Sequence, residues 1–370
     1  MSEIKAAALS DHLYNKAARR RIPLSGTFEL SPLCNFACRM CYVRKTAAEV
    51  RAHHRPMMDY ADWLRIAREA KEQGLLFLLL TGGEPLMWPG FWELYAELVD
   101  MGMLVAVNTN GSLIDDEAIA RFRQRPPRRV NITLYGGSDA TYEALCGAKG
   151  EFGRVDRAIR SLKAAGISVK LNCSLTPYNS GDLEAMVAYA KELGIQLDLA
   201  HYMFPPIRRD PDAVGVNERF TPEQTARSRV RGMELQWGPD ACRAFLERVK
   251  QGCAEPPGLE EGCYDPVDGR VRCRAGSASF WITWDGLMTA CGMMPEPKVD
   301  LAGKSFPHAW RELTEATAQM RLSGVCERCE NKQICHPCAA MAAAETGSPE
   351  GVPQYLCHVA KELRRMADEI

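Results

Sequence analysis

Residues 33–42 read Leu-Cys-Asn-Phe-Ala-Cys-Arg-Met-Cys-Tyr, which sets Cys34, Cys38 and Cys41 at C-x3-C-x2-C spacing. Thiolates are soft ligands suited to iron–sulfur clusters and zinc. Three of them can hold three irons of a [4Fe–4S] cube and leave the fourth iron open for chemistry, whereas an electron-transfer centre normally uses four. The alternative is a three-cysteine zinc site completed by His53 or His54. Spacing alone leaves both open.

A second element lies further on, where residues 78–85 read Leu-Leu-Leu-Thr-Gly-Gly-Glu-Pro. Two glycines at the end of an apolar run let a ligand approach the backbone, and the carboxylate after them can bind an ammonium group. Triplet and turn together, in this order and at this separation, resemble the radical S-adenosylmethionine (SAM) superfamily. The resemblance implies that Cys34, Cys38 and Cys41 ligate a [4Fe–4S] cluster whose open iron is chelated by SAM. Gly82, Gly83 and Glu84, with Pro85 closing the motif, would receive the SAM amino group, and Tyr42 would lie beside the adenine. Asn108 to Gly111 (Asn-Thr-Asn-Gly), Thr133 and, more weakly, Asn172 match positions that often contact the rest of SAM. One-electron reduction of the sulfonium would then release a 5′-deoxyadenosyl radical that abstracts hydrogen, with the protein supplying position and exclusion of water.

Eight further cysteines fall at 263, 273, 291, 326, 329, 335, 338 and 357. Cys326 to Cys338 reads C-x2-C-x5-C-x2-C, a pattern that zinc knuckles share with iron–sulfur sites. The order Cys273, Gly286, Cys291, Cys326 to Cys338 and Cys357 resembles the SPASM extension of radical SAM enzymes, which carries two auxiliary [4Fe–4S] clusters. It departs in having two residues, where three are common, between Cys335 and Cys338. The resemblance implies one cluster on Cys326, Cys329, Cys335 and Cys357. It assigns Cys273, Cys291 and Cys338 to the other, with Cys263 or Cys253 as fourth ligand or an open iron. Cys146 and Cys173 read as ordinary buried thiols, and Cys242 is unassigned.

The expected activity is oxidative modification of a peptide or protein side chain. The alternatives are oxidation or rearrangement of a small molecule such as a tetrapyrrole or aminoglycoside and, outside catalysis, an iron–sulfur electron carrier or zinc-stabilised scaffold. Sulfatase maturases of this group place an Asp just after the position of Cys291. Here that residue is Gly292, which disfavours their reaction. No leader-binding domain is evident before residue 27. The implied electron donor is a flavodoxin or ferredoxin.

Positioning these residues requires a repeated scaffold. Apolar runs at 27–30, 75–80, 104–108, 130–134, 169–172 and 196–199 alternate with helical periodicity such as that of 182–193, which Gly194 stops. Six β-α units predict an α/β fold, a partial (β/α)6 TIM-like barrel with reactive loops at the strand carboxyl ends and a C-terminal cysteine-rich iron–sulfur domain. The expected divisions are 1–26 as an extension, 27–200 as the barrel, 201–262 as a bridge, 263–357 as the auxiliary-cluster domain and 358–370 as a closing helix. With 46 Lys plus Arg against 47 Asp plus Glu, no global field attracts nucleic acid or a membrane surface. Neither a signal peptide nor a spanning segment is visible. Fifteen cysteines cannot all pair, so reduced thiols in the cytoplasm are expected.

Overall fold

The computed structural model describes residues 2–254 and 273–369. Six strands run parallel and neighbour one another in chain order: β1 (Ser25–Glu29), β2 (Phe77–Thr81), β3 (Leu104–Thr109), β4 (Arg129–Thr133), β5 (Val169–Ser174) and β6 (Leu197–Ala200). Each agrees with a predicted run to within about two residues at either end, because a strand buried on both faces reads as continuous apolar sequence. The crossover helices bury one apolar stripe each. In Tyr60–Glu72 the stripe is Trp63, Ile66, Ala67 and Ala70, and a reciprocal Asp59–Asp62 capping box starts the helix.

The helix predicted from 182 begins at Leu183 and ends on left-handed Gly194, as expected. Asp182 has another task. Its carboxylate accepts hydrogen bonds from the Gly137 amide at 2.7 Å and the Thr141 hydroxyl at 2.6 Å, which fixes the loop after β4.

The C-terminal region does not form a separate sheet. β7 (Ser279–Ile282) adds to β1 in parallel, and β8 (Leu287–Thr289) and β9 (Lys298–Asp300) continue antiparallel, giving the nine-strand order β6-β5-β4-β3-β2-β1-β7-β8-β9. Gly26 makes this junction possible, since a Cβ there would meet the Phe280 ring at 2.3 Å. The expected extension 1–26 is therefore a helix, Ser2–Arg20, followed by the first residues of β1.

The bridge is structured as well. Helices Pro222–Trp237 and Pro239–Lys250 pack against Gln354–Asp368 through Met233, Phe245, Val249, Val359 and Leu363. The closing helix thus starts earlier than expected and carries Cys357 in its first turn. No helix among the described residues is long and apolar enough to cross a membrane.

Candidate active site and cysteine clusters

The cysteine loop leaves β1 and lies directly on the turn after β2. The Gly83 amide donates to the Ser31 carbonyl at 2.6 Å and the Glu84 amide to the Leu33 carbonyl at 2.9 Å. A Cβ on Gly82 would meet the Ser31 oxygen at 2.4 Å, and one on Gly83 the Leu33 oxygen at 2.3 Å. These glycines thus admit the protein's own cysteine loop. From the other side Asn110 Nδ2 donates to Asn35 Oδ1 at 2.9 Å, and Asn35 Nδ2 to Ser112 Oγ at 2.8 Å. The Ala37 and Arg39 amides donate to the carbonyls of Cys146 and Leu145. Anchored on both flanks, the loop cannot drift from the strand ends.

Burial governs the three thiols. It pushes Cys34 up to about 12, aided by the charge of Glu84 and the neighbouring thiols and opposed by the Phe36 amide. Cys41 is also raised, chiefly by burial. Cys38 is held below the ordinary thiol range, chiefly by a hydrogen bond from the Cys146 thiol. Cys146 is therefore more than a packed thiol, because it touches a predicted ligand; the sequence offers no sign of this. Cys173 behaves as expected, buried beside Met186 with Asn179 Nδ2 at 3.7 Å. Among the described residues no three His, Cys, Asp or Glu side chains are gathered closely enough to hold a single metal ion. Cys34, Cys38 and Cys41 instead line one cavity.

That cavity, about 380 Å³, opens over the strand carboxyl ends. Besides the cysteines it collects Tyr42, Gly82, Gly83, Asn108 and Thr133 from the predicted set. Gly111, Asn172, Pro85 and Glu84 do not line it. Asn172 is replaced by Ser174, because β5 runs two residues further than expected. Pro85 is buried at the first position of a short 3-10 turn, Pro85–Met87. Glu84 is fully buried and turned into the protein. Its oxygens accept from Thr109 Oγ1 at 2.8 Å, the Asn110 amide at 2.8 Å and the Leu86 amide at 3.2 Å. It joins the end of β2 to the end of β3. Burial pushes its carboxyl up to about 7 against those three donors. Thr109 and Asn110, within the predicted stretch 108–111, line the cavity too, whereas sequence reasoning missed Tyr135, Tyr202, Phe204 and Met293 on the wall. Met293 could not have been found from local pattern, as it arrives from beyond β8.

Residues 28–190 match the radical SAM superfamily. That segment is a radical SAM domain, and the relatives that match most of the chain are enzymes. The chain is 24% identical over 330 residues to the AdoMet-dependent heme synthase of Methanosarcina barkeri, covering 86% of this chain and 92% of that protein. It is 28% identical over 348 residues to mycofactocin maturase MftC of Mycobacterium ulcerans, covering 90% and 88%. Among solved structures it resembles Streptococcus suis SuiB bound to precursor peptide SuiA, with a TM-score of 0.67, 16% identity and coverage of 94% of this chain and 80% of that one. The carrier and scaffold readings therefore fall. The donor set of the radical SAM domain suits a cluster, since three soft sulfur ligands line one cavity and a metal centre supplies the positive charge that draws off their protons.

The fold sorts the C-terminal cysteines into two neighbourhoods. Cys273, Cys291 and Cys338 line a cavity of about 290 Å³ that the helix Ser2–Arg20 also borders through Ala18. Burial pushes Cys291 up to about 11, and the Cys338 and Cys273 thiols add to it. In the other neighbourhood burial pushes Cys335 up to about 12, with Cys357, Cys326 and Cys329 adding. Cys263 lies outside the described residues. Cys253 follows helix Pro239–Lys250, where the Ala254 amide bonds to the Gln333 carbonyl, and it does not line the Cys291 cavity. A Cβ at Gly292 would sit 2.8 Å from the Trp281 indole, so a side chain there requires that ring to shift.

Proposed function

We propose that this radical SAM enzyme oxidatively modifies a peptide or protein side chain, using SAM and a cluster on Cys34, Cys38 and Cys41. Two auxiliary [4Fe–4S] clusters complete the reading, one on Cys326, Cys329, Cys335 and Cys357, the other on Cys273, Cys291 and Cys338. When bound, the reduced cluster and SAM supply a radical that removes hydrogen from the substrate. The protein's residues orient and enclose. Gly82, Gly83, Asn108 and Thr133 offer the polar side of the cavity, and Tyr42 the aromatic face beside it. Tyr202, Phe204 and Met293 form an apolar wall that keeps water from a reactive centre. The observation that carries the reading is Met293, which follows Cys291 and faces the Cys34 cavity, so the auxiliary region forms part of the site.

Likeness to MftC supports a peptide substrate. Oxidation of a tetrapyrrole-like small molecule is the second reading, supported by the heme synthase that matches 86% of the chain. A cytoplasmic location and a flavodoxin- or ferredoxin-type donor complete the proposal. Anaerobic reconstitution should give about twelve irons per chain, three cubes held by cysteines. Replacing Cys34, Cys38 and Cys41 together by Ala should remove one cube and abolish SAM cleavage while sparing the others. Undiminished cleavage, or zinc in place of the auxiliary irons, would refute the assignments.

A further inference from the structure

Between β6 and helix Pro222–Trp237 the chain lines the Cys34 cavity through Tyr202, Met203 and Phe204, and a few residues on, Arg208, which borders a neighbouring cavity, reaches three parts of the protein at once. Arg208 donates from Nη1 to Glu29 Oε2 at 3.0 Å and from Nη2 to Glu29 Oε1 at 2.9 Å. It also donates from Nη1 to the Gly292 carbonyl at 2.8 Å. Its guanidinium lies 5.6 Å from the centre of the Tyr42 ring. The adjoining Arg209 donates to the Cys41 carbonyl at 3.3 Å. Glu29, fully buried at the end of β1, takes a further hydrogen bond from Trp281 Nε1 at 2.9 Å. Trp281 is the indole that a side chain at Gly292 would displace.

We infer that Arg208 is a positioning residue that sets the Cys291–Gly292 turn against the Tyr42 wall of the SAM cavity. The inference rests on the reading of both cysteine sites given above. A guanidinium is planar, permanently charged and forked, so it can hold a carboxylate with two donors while aiming another at a carbonyl. Two constraints converge on that carbonyl. The indole beneath Gly292 limits where the turn can lie, and Arg208 fixes the direction its backbone faces. The same cation braces Tyr42, so the adenine side of the cavity and the auxiliary turn move together. Lysine, a point charge on a flexible stem, cannot satisfy both the carboxylate and the carbonyl. Breaking the pair on one side alone would leave a buried charge unpartnered and endanger folding. Removing both charges avoids that.

The test compares the parent, R208K, the E29Q/R208M double variant and R55K, each reconstituted with iron and sulfide. Arg55 makes a comparable bidentate pair with Asp300 and touches neither Tyr42 nor Cys291. Three quantities are measured: iron per chain, the SAM dissociation constant by calorimetry, and microwave power saturation of the reduced SAM-site cluster by electron paramagnetic resonance. With parental iron and melting temperature, R208K and the double variant should weaken SAM binding about tenfold, as loss of a charged hydrogen bond partly transmitted through Tyr42 predicts. Their power saturation should also shift, because the neighbouring paramagnet moves. R55K should match the parent. Parental SAM affinity in folded R208K and in the double variant overturns the inference, as does loss of SAM-site iron in both, which would make the role structural. If the parent carries only one cube, the auxiliary reading fails while the affinity comparison still decides the role of Arg208.

Discussion

Glu84 shows how a single residue can join two strand ends at a site. Its carboxylate ties β3 to β2 from full burial, and burial dominates its titration, raising it to about 7. The raised value means that the folded protein holds this proton more tightly than the unfolded chain. Below the ordinary carboxylate range both states are protonated, and the group costs nothing. As pH rises from there through about 7 the folded state must bear a buried charge, and about 3 kcal/mol of stability is lost, after which the effect is constant. Glu84→Gln removes this titration while presenting an amide to the Asn110 donor. Urea unfolding at pH 5 and pH 8 should find the variant clearly less stable than the parent at pH 5, with the gap narrowing by pH 8. A gap that widens would show that the carboxylate is stabilised, not penalised, by its surroundings.

At the scale of elements, the decisive contact is between β1 and β7, where the barrel and the cysteine-rich region become one sheet. Gly26 lies under the Phe280 ring, which also packs on Phe306 and Trp310 at 4.9 and 6.0 Å between centroids. Gly26→Ala forces a methyl group into that ring and should cost about 1–3 kcal/mol, the usual penalty of overfilling a packed core. Phe280→Leu alone opens space at comparable cost. The two together should be less damaging than the sum, and a double-mutant cycle from denaturant unfolding measures the coupling. Strict additivity would mean that the strand pair relaxes in some other way.

For the molecule as a whole, the sheet order makes the first 200 residues dependent on the rest. Without β7 the fragment 1–200 would expose the β1 edge and the Phe28 face that Phe280 helps to cover, leaving unpaired backbone groups on a hydrophobic strand. That fragment should be recovered mainly as aggregate, and co-expression with 201–370 should restore soluble protein. A monomeric, cooperatively unfolding fragment would show that the barrel stands alone. The auxiliary region therefore supplies both a wall of the active cavity and an edge of the fold.

Sequence alone determined the six parallel strands, since strands buried on both faces and helices with one apolar stripe leave different periodicities. It also determined the cysteine triplet and the Gly-Gly turn, local patterns whose spacing carries their chemistry. The grouping of the C-terminal cysteines into two ligand sets came from resemblance; in the fold Cys273, Cys291 and Cys338 line one cavity, and Cys357, Cys326 and Cys329 lie near Cys335. Other features depended on contacts between distant segments, which no local pattern records. Glu84 turned inward because two donors of β3 lie beside it, and Gly82 and Gly83 proved to admit the cysteine loop. Cys146 met Cys38 across more than a hundred residues. Arg208, in a stretch of Pro and Arg without periodicity, found Glu29 and Gly292 only once β7 had joined β1 and brought the auxiliary turn to the mouth of the cavity.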